Sequence, residues 1–193
     1  MRHAGLNMEI DDAMMWIDTY GRMLKPEPIN GEWSHPGWLT YKAYSELMER
    51  TGVQDFNLIA RSAYLGVQNG TLKPWDATHI LVDEFQDTSD MQYAWIQIHG
   101  EMGAKLVVVG DDDQSIYSWR GAAGYQNMVN FQSDFGAVGY VLKMCFRCRP
   151  EILEAACRVI EYNEDRVYKD MKSGREEGGI VKVKGYLTAA DEF

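Results

Sequence analysis

Ile80-Leu81-Val82-Asp83-Glu84 is a short apolar run that stops abruptly at two acids. Leu106-Val107-Val108-Val109 is a second such run, and it ends at Gly110 and three aspartates. Apolar runs of this length are typical of strands buried on both faces of a parallel sheet. Between them, Ser89 is followed three residues later by Gln92, which predicts a capping box and a helix. Strand, helix and strand together predict a parallel βαβ unit.

Helices are predicted on both sides of this unit. Upstream, the apolar spacing predicts a helix over 12–24 behind Asp11 and Asp12, a second helix that ends at Gly52, and a third capped by Asp55. Downstream, the pattern predicts a helix over 125–132, a strand over 138–142, a helix over 151–162, a polar loop over 172–179 and a half-exposed strand over 180–184. The fold class is therefore α/β.

The composition is that of a globular protein. With 193 residues, 46% of them hydrophobic, the chain can bury one good-sized core. It has no apolar stretch near the roughly 18 to 20 residues that span a bilayer, and Met1–Gly5 lacks a signal pattern, so we expect a cytoplasmic protein with no membrane partner. Residues 1–140 hold 9 Lys and Arg against 19 Asp and Glu, which restricts any nucleic-acid contact to a local surface.

The three cysteines lie close together in the sequence. Cys145 and Cys148 form a CxxC, a spacing found in redox-active and zinc sites. A zinc site needs further ligands, and the four histidines all lie far upstream. The favoured interpretation is that Cys145, Cys148 and Cys157 are ordinary reduced thiols.

Polar clusters follow both apolar runs. Ligands gather beyond the carboxyl ends of parallel strands, and Asp83-Glu84 and Asp111-Asp112-Asp113-Gln114 are expected to share that edge. Adjacent carboxylates there suit a magnesium ion, with one acid near the metal and the next acting on water. The alternative is that these acids only cap the helices that follow.

An aromatic side chain and a guanidinium are neighbours just beyond this cluster. In Ser115-Ile116-Tyr117-Ser118-Trp119-Arg120, the pair Trp119 and Arg120 can stack on a base and contact a phosphate, the usual grip on single strands. A core tryptophan beside a solvated arginine is an equally good interpretation of the composition.

Three segments resemble a known family. Residues 80–88 (ILVDEFQDT) and 109–122 (VGDDDQSIYSWRGA) are similar to the second and third motifs of superfamily-one DNA helicases of the UvrD, Rep and PcrA type. Residues 146–153 (FRCRPEIL) resemble the fourth motif, which usually begins Asn-Tyr-Arg-Ser. Here Cys145 and Cys148 replace the asparagine and the serine.

The resemblance implies a RecA-like fold of the P-loop NTPase type. Residues 1–76 would be a helical region, 77–140 part of a first RecA-like ATPase domain, and 141–193 the start of a second. Such motors move three-prime to five-prime on single-stranded DNA and hold ATP and Mg²⁺ between the two domains.

The resemblance also implies roles for individual residues. Asp83 would hold magnesium and Glu84 would activate water, while Gln114 would sense the γ-phosphate. Arg147 would reach that phosphate from across the cleft. The residues implied to contact DNA are Tyr117, Trp119 and Arg120.

One essential motif is missing from these 193 residues. They contain no G-x-x-x-x-G-K-[ST], the loop whose backbone amides cradle phosphates. We therefore expect a helicase fragment that is inactive alone and needs a second polypeptide to supply the missing motifs. The alternative is a non-catalytic module that binds single-stranded DNA or a protein partner.

Overall fold

Two structural units make up the chain in this computed structural model, which describes residues 8–116 and 124–185. The units are Met1–Met128 and Val129–Phe193. The helices are α1 (Ile10–Gly21), α2 (Pro36–Thr51), α3 (Phe56–Gln68), α4 (Asp90–Glu101), α5 (Gly124–Phe135) and α6 (Pro150–Ile160). The strands are β1 (His79–Val82), β2 (Lys105–Val108), β3 (Met144–Cys145) and β4 (Lys172–Ser173). The predicted mixed α/β class is confirmed.

The first three helices lie close to their predicted positions. Gly52 ends α2 in the left-handed conformation, with φ of 68°, and the Asp55 carboxylate caps α3 by accepting the Leu58 amide at 2.6 Å. The prediction for α1 was two residues late, because Glu9 and not Asp11 is the N-cap residue. Its backbone oxygen accepts the Ala13 amide, so the helix needs no side-chain cap to start there.

A buried arginine links these helices through hydrogen bonds. The Arg61 guanidinium of α3 donates to the Tyr41 hydroxyl of α2 at 2.8 Å and to the Tyr20 and Met23 carbonyls at 3.2 and 2.8 Å. The Tyr20 carbonyl lies in the last turn of α1, and Met23 follows two residues after the helix, so the guanidinium lies at the helix end that carries a negative partial charge. One side chain therefore satisfies a helix end and links three helices.

The predicted βαβ unit is present in the first unit. Strands β1 and β2 are parallel, with Ile80 opposite Leu106 and Val82 opposite Val108. Helix α4 between them starts with the predicted capping box, in which the Ser89 and Gln92 side chains each accept the other residue's amide.

The prediction that both strand faces are buried was wrong. Ile80 is buried, but its neighbour Leu81 is 74% exposed. Successive side chains of a strand point to opposite faces, so within the described residues only one face of this sheet is covered.

The second unit departs from two strand predictions. Residues 138–142 and 180–184 form no strand, and Val138, Leu142 and Val183 are exposed. A strand needs a hydrogen-bonded neighbour, and the parallel pairing in this unit joins β3 to β4 instead. Strand β4 lies within residues 172–179, which were predicted to form a loop. Helix α6 occupies its predicted position. No helix among the described residues is long and apolar enough to cross a membrane.

Candidate functional site

The carboxyl ends of β1 and β2 meet at one edge of the sheet. Beyond the paired Val82 and Val108, the Val109 amide donates to the Val82 carbonyl at 2.8 Å, and the Phe85 amide donates to the Val109 carbonyl at 2.9 Å. The backbone ladder therefore continues past both strands and holds the two polar segments together. The predicted common edge is confirmed, and we call residues 83–86 and 110–114 the strand-end rim.

Gln86 bridges the two segments of the strand-end rim. Its side chain is only 2% exposed. Its Nε2 donates to Glu84 Oε2 at 2.9 Å, and its Oε1 accepts the Asp111 amide at 2.9 Å. A glutamine can donate and accept at once, so this single side chain fixes a carboxylate of one strand end against the backbone of the other.

Gly110 allows the two segments to approach this closely. A β-carbon at this position would lie 2.6 Å from Gln86 Oε1 and 3.0 Å from the Phe85 amide nitrogen. Both distances are shorter than an ordinary contact, and one partner is backbone that cannot move aside. The sequence hint was a glycine directly after an apolar run, but that hint did not identify Gln86 as its neighbour.

Asp83 and Glu84 are both exposed at the end of β1. The Asp83 Oδ1 atom accepts the Glu84 amide at 2.9 Å. Glu84 has φ of 50°, in the left-handed region that a residue with a β-carbon seldom adopts. Strain of this kind, of order 1 to 3 kcal/mol, often marks functional sites. The backbone at Glu84 is therefore held in place by its surroundings, including the Gln86 side chain.

The second segment folds into a tight acidic turn. Asp111, Asp112 and Asp113 place ligand oxygens within 4.8 Å of one another, and all three are partly buried. The Gln114 side chain is exposed, and its Nε2 donates to Asp111 Oδ2 at 2.7 Å. Hydrogen bonds therefore run from Glu84 through Gln86 and Asp111 to Gln114.

The donor set of the rim fits magnesium. Asp83 and Glu84 are exposed carboxylates that leave room for water ligands, and Mg²⁺ prefers one or two carboxylates with several waters. An oxygen-only set excludes a tetrahedral zinc site of the cysteine and histidine type.

The other predicted site residues lie elsewhere. Tyr117, Trp119 and Arg120 fall outside the described residues. Arg147 is exposed in the second unit, between β3 and α6. Its carbonyl accepts the Arg175 guanidinium at 3.3 Å.

Comparisons with known proteins give the family. Residues 23–136 match the model of the UvrD/REP helicase N-terminal domain. The chain belongs to this UvrD/REP helicase family. It is 36% identical over 194 residues to DNA helicase II of Escherichia coli (strain K12), an alignment that covers 97% of this chain and 26% of that protein. It is 38% identical over 115 residues to the ATP-dependent DNA helicase PcrA of Leuconostoc citreum, covering 59% of this chain and 15% of that protein.

The UvrD/REP chain described here thus spans about a quarter of the length of a full helicase relative, 26% of the Escherichia coli protein. The family match covers the strand-end rim, since residues 23–136 include both of its segments. The resemblance found in the second and third motifs is confirmed by this match.

Proposed function

We propose that this chain is part of the ATP-driven motor of a UvrD-type helicase, which couples ATP hydrolysis to three-prime-to-five-prime movement on single-stranded DNA. The observation that carries the proposal is the Gln86 bridge, at 2.9 Å to both Glu84 Oε2 and the Asp111 amide. It links the acids of the second motif to the turn of the third. Membership of the helicase family adds to this support.

The acids of the rim would serve the nucleotide. Asp83 would hold Mg²⁺, which when bound would neutralise charge on the phosphates of ATP. Glu84 would accept a proton from water. The hydrogen bond from Gln86 would keep its exposed carboxylate in position. A base that is positioned before the substrate arrives loses less entropy in the reaction.

The turn of the third motif would connect nucleotide to DNA. Gln114 would sense the γ-phosphate, and Tyr117, Trp119 and Arg120, which follow it in the sequence, would contact DNA. A rearrangement of Gln114 on ATP binding would change its hydrogen bond to Asp111 and so link the nucleotide to the DNA-binding residues.

The domain boundaries of the proposal follow the family resemblance. We infer that residues 77–140 belong to a first RecA-like domain and that residues 141–193 begin a second, after the helical region 1–76. Arg147 would approach the γ-phosphate and stabilise the charge of the transition state.

These 193 residues alone would not hydrolyse ATP, since no G-x-x-x-x-G-K-[ST] is present to cradle the phosphates. A second polypeptide segment would have to supply that loop. The purified chain is therefore expected to show no ATP turnover above that of its Glu84→Gln variant. DNA-stimulated turnover that disappears in Glu84→Gln would contradict this part of the proposal.

Binding to single-stranded DNA tests the remaining part. Anisotropy of a labelled oligonucleotide should show weak, salt-sensitive binding that falls about 5- to 150-fold in Trp119→Ala, since stacking one base contributes about 1 to 3 kcal/mol. Trp33→Ala is the matched control, because Trp33 is 68% exposed on a different part of the chain. Equal losses in the two variants, or none in Trp119→Ala, would contradict DNA binding through Trp119.

A chimera tests catalysis directly. In the chimera, this chain replaces the matching 26% of Escherichia coli DNA helicase II, and the rest of that protein supplies the missing motifs. The chimera should hydrolyse ATP when DNA is added, and Glu84→Gln should abolish the activity. A folded chimera that binds DNA but hydrolyses no ATP would instead support a non-catalytic binding module.

A further inference from the structure

The turn between β3 and α6 places the backbone of one cysteine against the sulfur of another. The Cys148 amide lies 3.4 Å from Cys145 Sγ, towards which it donates a hydrogen bond. Both side chains are partly exposed, and neither is in a disulfide. Cys157, further along α6, is a third free thiol of similar exposure. It serves as a reference for an ordinary cysteine in the same chain.

Hydrogen bonds from the turn stabilise a thiolate at Cys145. The pKa of Cys145 is lowered, first by the amide of Cys148, then by the amide of Arg147 and, more weakly, by the Cys148 thiol and the positive charge of Arg147. The thiolate is the nucleophilic form of cysteine, so these donors favour reactivity at this sulfur.

The two ends of the turn are tied to one neighbouring strand. The Gly174 amide donates to the Cys145 carbonyl at 2.9 Å, and Ser173 Oγ donates to the Cys148 carbonyl at 2.7 Å. Both bonds come from β4 or the residue after it, so the thiols are held on the same turn without a covalent link. A thiol held on the same turn as a mixed disulfide attacks it as if at high concentration.

We propose that Cys145 and Cys148 form a redox-active dithiol that exchanges with small-molecule disulfides of the glutathione type. The Cys145 thiolate attacks one sulfur of oxidised glutathione, which forms a mixed disulfide and releases a glutathione thiolate. The Cys148 sulfur, on losing its proton to solvent, then attacks Cys145 Sγ and displaces the second glutathione thiolate. The released thiolates take up the two protons, so two protein thiols are oxidised while one glutathione disulfide is reduced.

The chemistry of this site needs neither ATP nor DNA, although it lies beside a residue of the proposed motor. The ring closed by the disulfide would contain Arg147, whose peptide would then be fixed by a covalent bond. The fourth motif of the helicases begins Asn-Tyr-Arg-Ser, so the two cysteines are a departure of this chain from that pattern.

The test uses the full chain, reduced and then incubated with oxidised and reduced glutathione at set ratios. After an acid quench and alkylation of the remaining thiols, peptide mass spectrometry locates each modification. The wild type should close a Cys145–Cys148 disulfide and leave Cys157 alkylated. In the Cys148→Ser variant, glutathione should accumulate on Cys145 faster than on Cys157.

Two results would overturn the proposal. One is a wild type in which Cys145 and Cys157 react at the same rate, a comparison that needs no variant. The other is a wild type that stops at the mixed disulfide, which would show that Cys148 does not resolve it. Cys157→Ser is the matched control and should leave the closure of the ring unchanged. None of these readouts depends on ATP or DNA, so a negative result here would not contradict the proposed function, and failure of the proposed function would not contradict the dithiol.

Discussion

Gln86→Met is the substitution that bears most directly on the strand-end rim. Methionine matches glutamine in length and volume, so it leaves no cavity but removes both hydrogen bonds of the side chain. The partly buried Asp111 amide loses its partner, at about 1 to 3 kcal/mol. The Glu84 carboxylate is exposed and regains water, so that bond contributes only about 0.5 to 1 kcal/mol. We expect the two effects together to lower the free energy of unfolding by about 1.5 to 4 kcal/mol.

Urea unfolding followed by tryptophan fluorescence measures this loss. All 6 tryptophans lie between Trp16 and Trp119, so the signal reports on the first unit. At a slope of about 2 kcal/mol per molar urea, in the middle of the usual range, the midpoint should fall by about 0.8 to 2 M. Hydrogen exchange of the Asp111 amide, read by NMR, should be faster in the same variant.

Gln68→Met is the matched control. Gln68 also makes one side-chain hydrogen bond, to the Tyr64 hydroxyl at 3.1 Å, but on the exposed surface of α3. Its loss should stay within about 0.5 kcal/mol. Equal midpoints for Gln86→Met and Gln68→Met, with unchanged exchange at Asp111, would refute the bridging role of Gln86.

Three further predictions concern the first unit. Arg61→Lys should lower the free energy of unfolding in urea by about 2 to 4 kcal/mol, since an ammonium cannot reach the Tyr20 and Met23 carbonyls and the Tyr41 hydroxyl together. A loss below that of Gln68→Met would contradict this role of Arg61. Gly110→Ala should lower the thermal midpoint through an overpacking cost of about 1 to 3 kcal/mol, and an unchanged midpoint would show that the rim can relax. Burial, and then the hydrogen bond to Asp55, raise the pKa of Tyr44 to about 12.

The sign of the Tyr44 effect follows from its raised pKa. The folded chain keeps the phenol proton to about pH 12, whereas the unfolded chain releases it near about pH 10. The stabilisation is therefore complete below about pH 10 and is lost as the pH rises towards 12. Unfolding free energies measured over this range should fall less steeply in Tyr44→Phe, and parallel curves for the two proteins would disprove the linkage.

Local signals predicted much of the first unit. The capping box at Ser89 and the helix end at Gly52 depend on residues near in sequence, and both were confirmed. The shared edge of β1 and β2 also followed from sequence, because a βαβ crossover makes the strands parallel.

Features that depend on distant partners could not be predicted. Residues 138–142 and 180–184 have strand-like patterns, but a pattern does not supply a neighbouring strand, and the pairing formed at Met144–Cys145 instead. The Gln86 bridge likewise needs the Asp111 amide from the other strand end. Nothing in the order of the residues that follow β1 indicates that Gln86, between an aromatic residue and an acid, is buried.

Manganese is a paramagnetic substitute for magnesium. It tests whether one rim, made from two strand ends, holds the metal of the proposed motor. In NMR spectra of the chain at low Mn²⁺, the amides of residues 83–86 and 110–114 should broaden together, and Asp83→Asn should remove the broadening from both segments. Broadening that persists unchanged in Asp83→Asn would contradict this, because the metal would then be bound by the acidic turn Asp111–Asp113 alone.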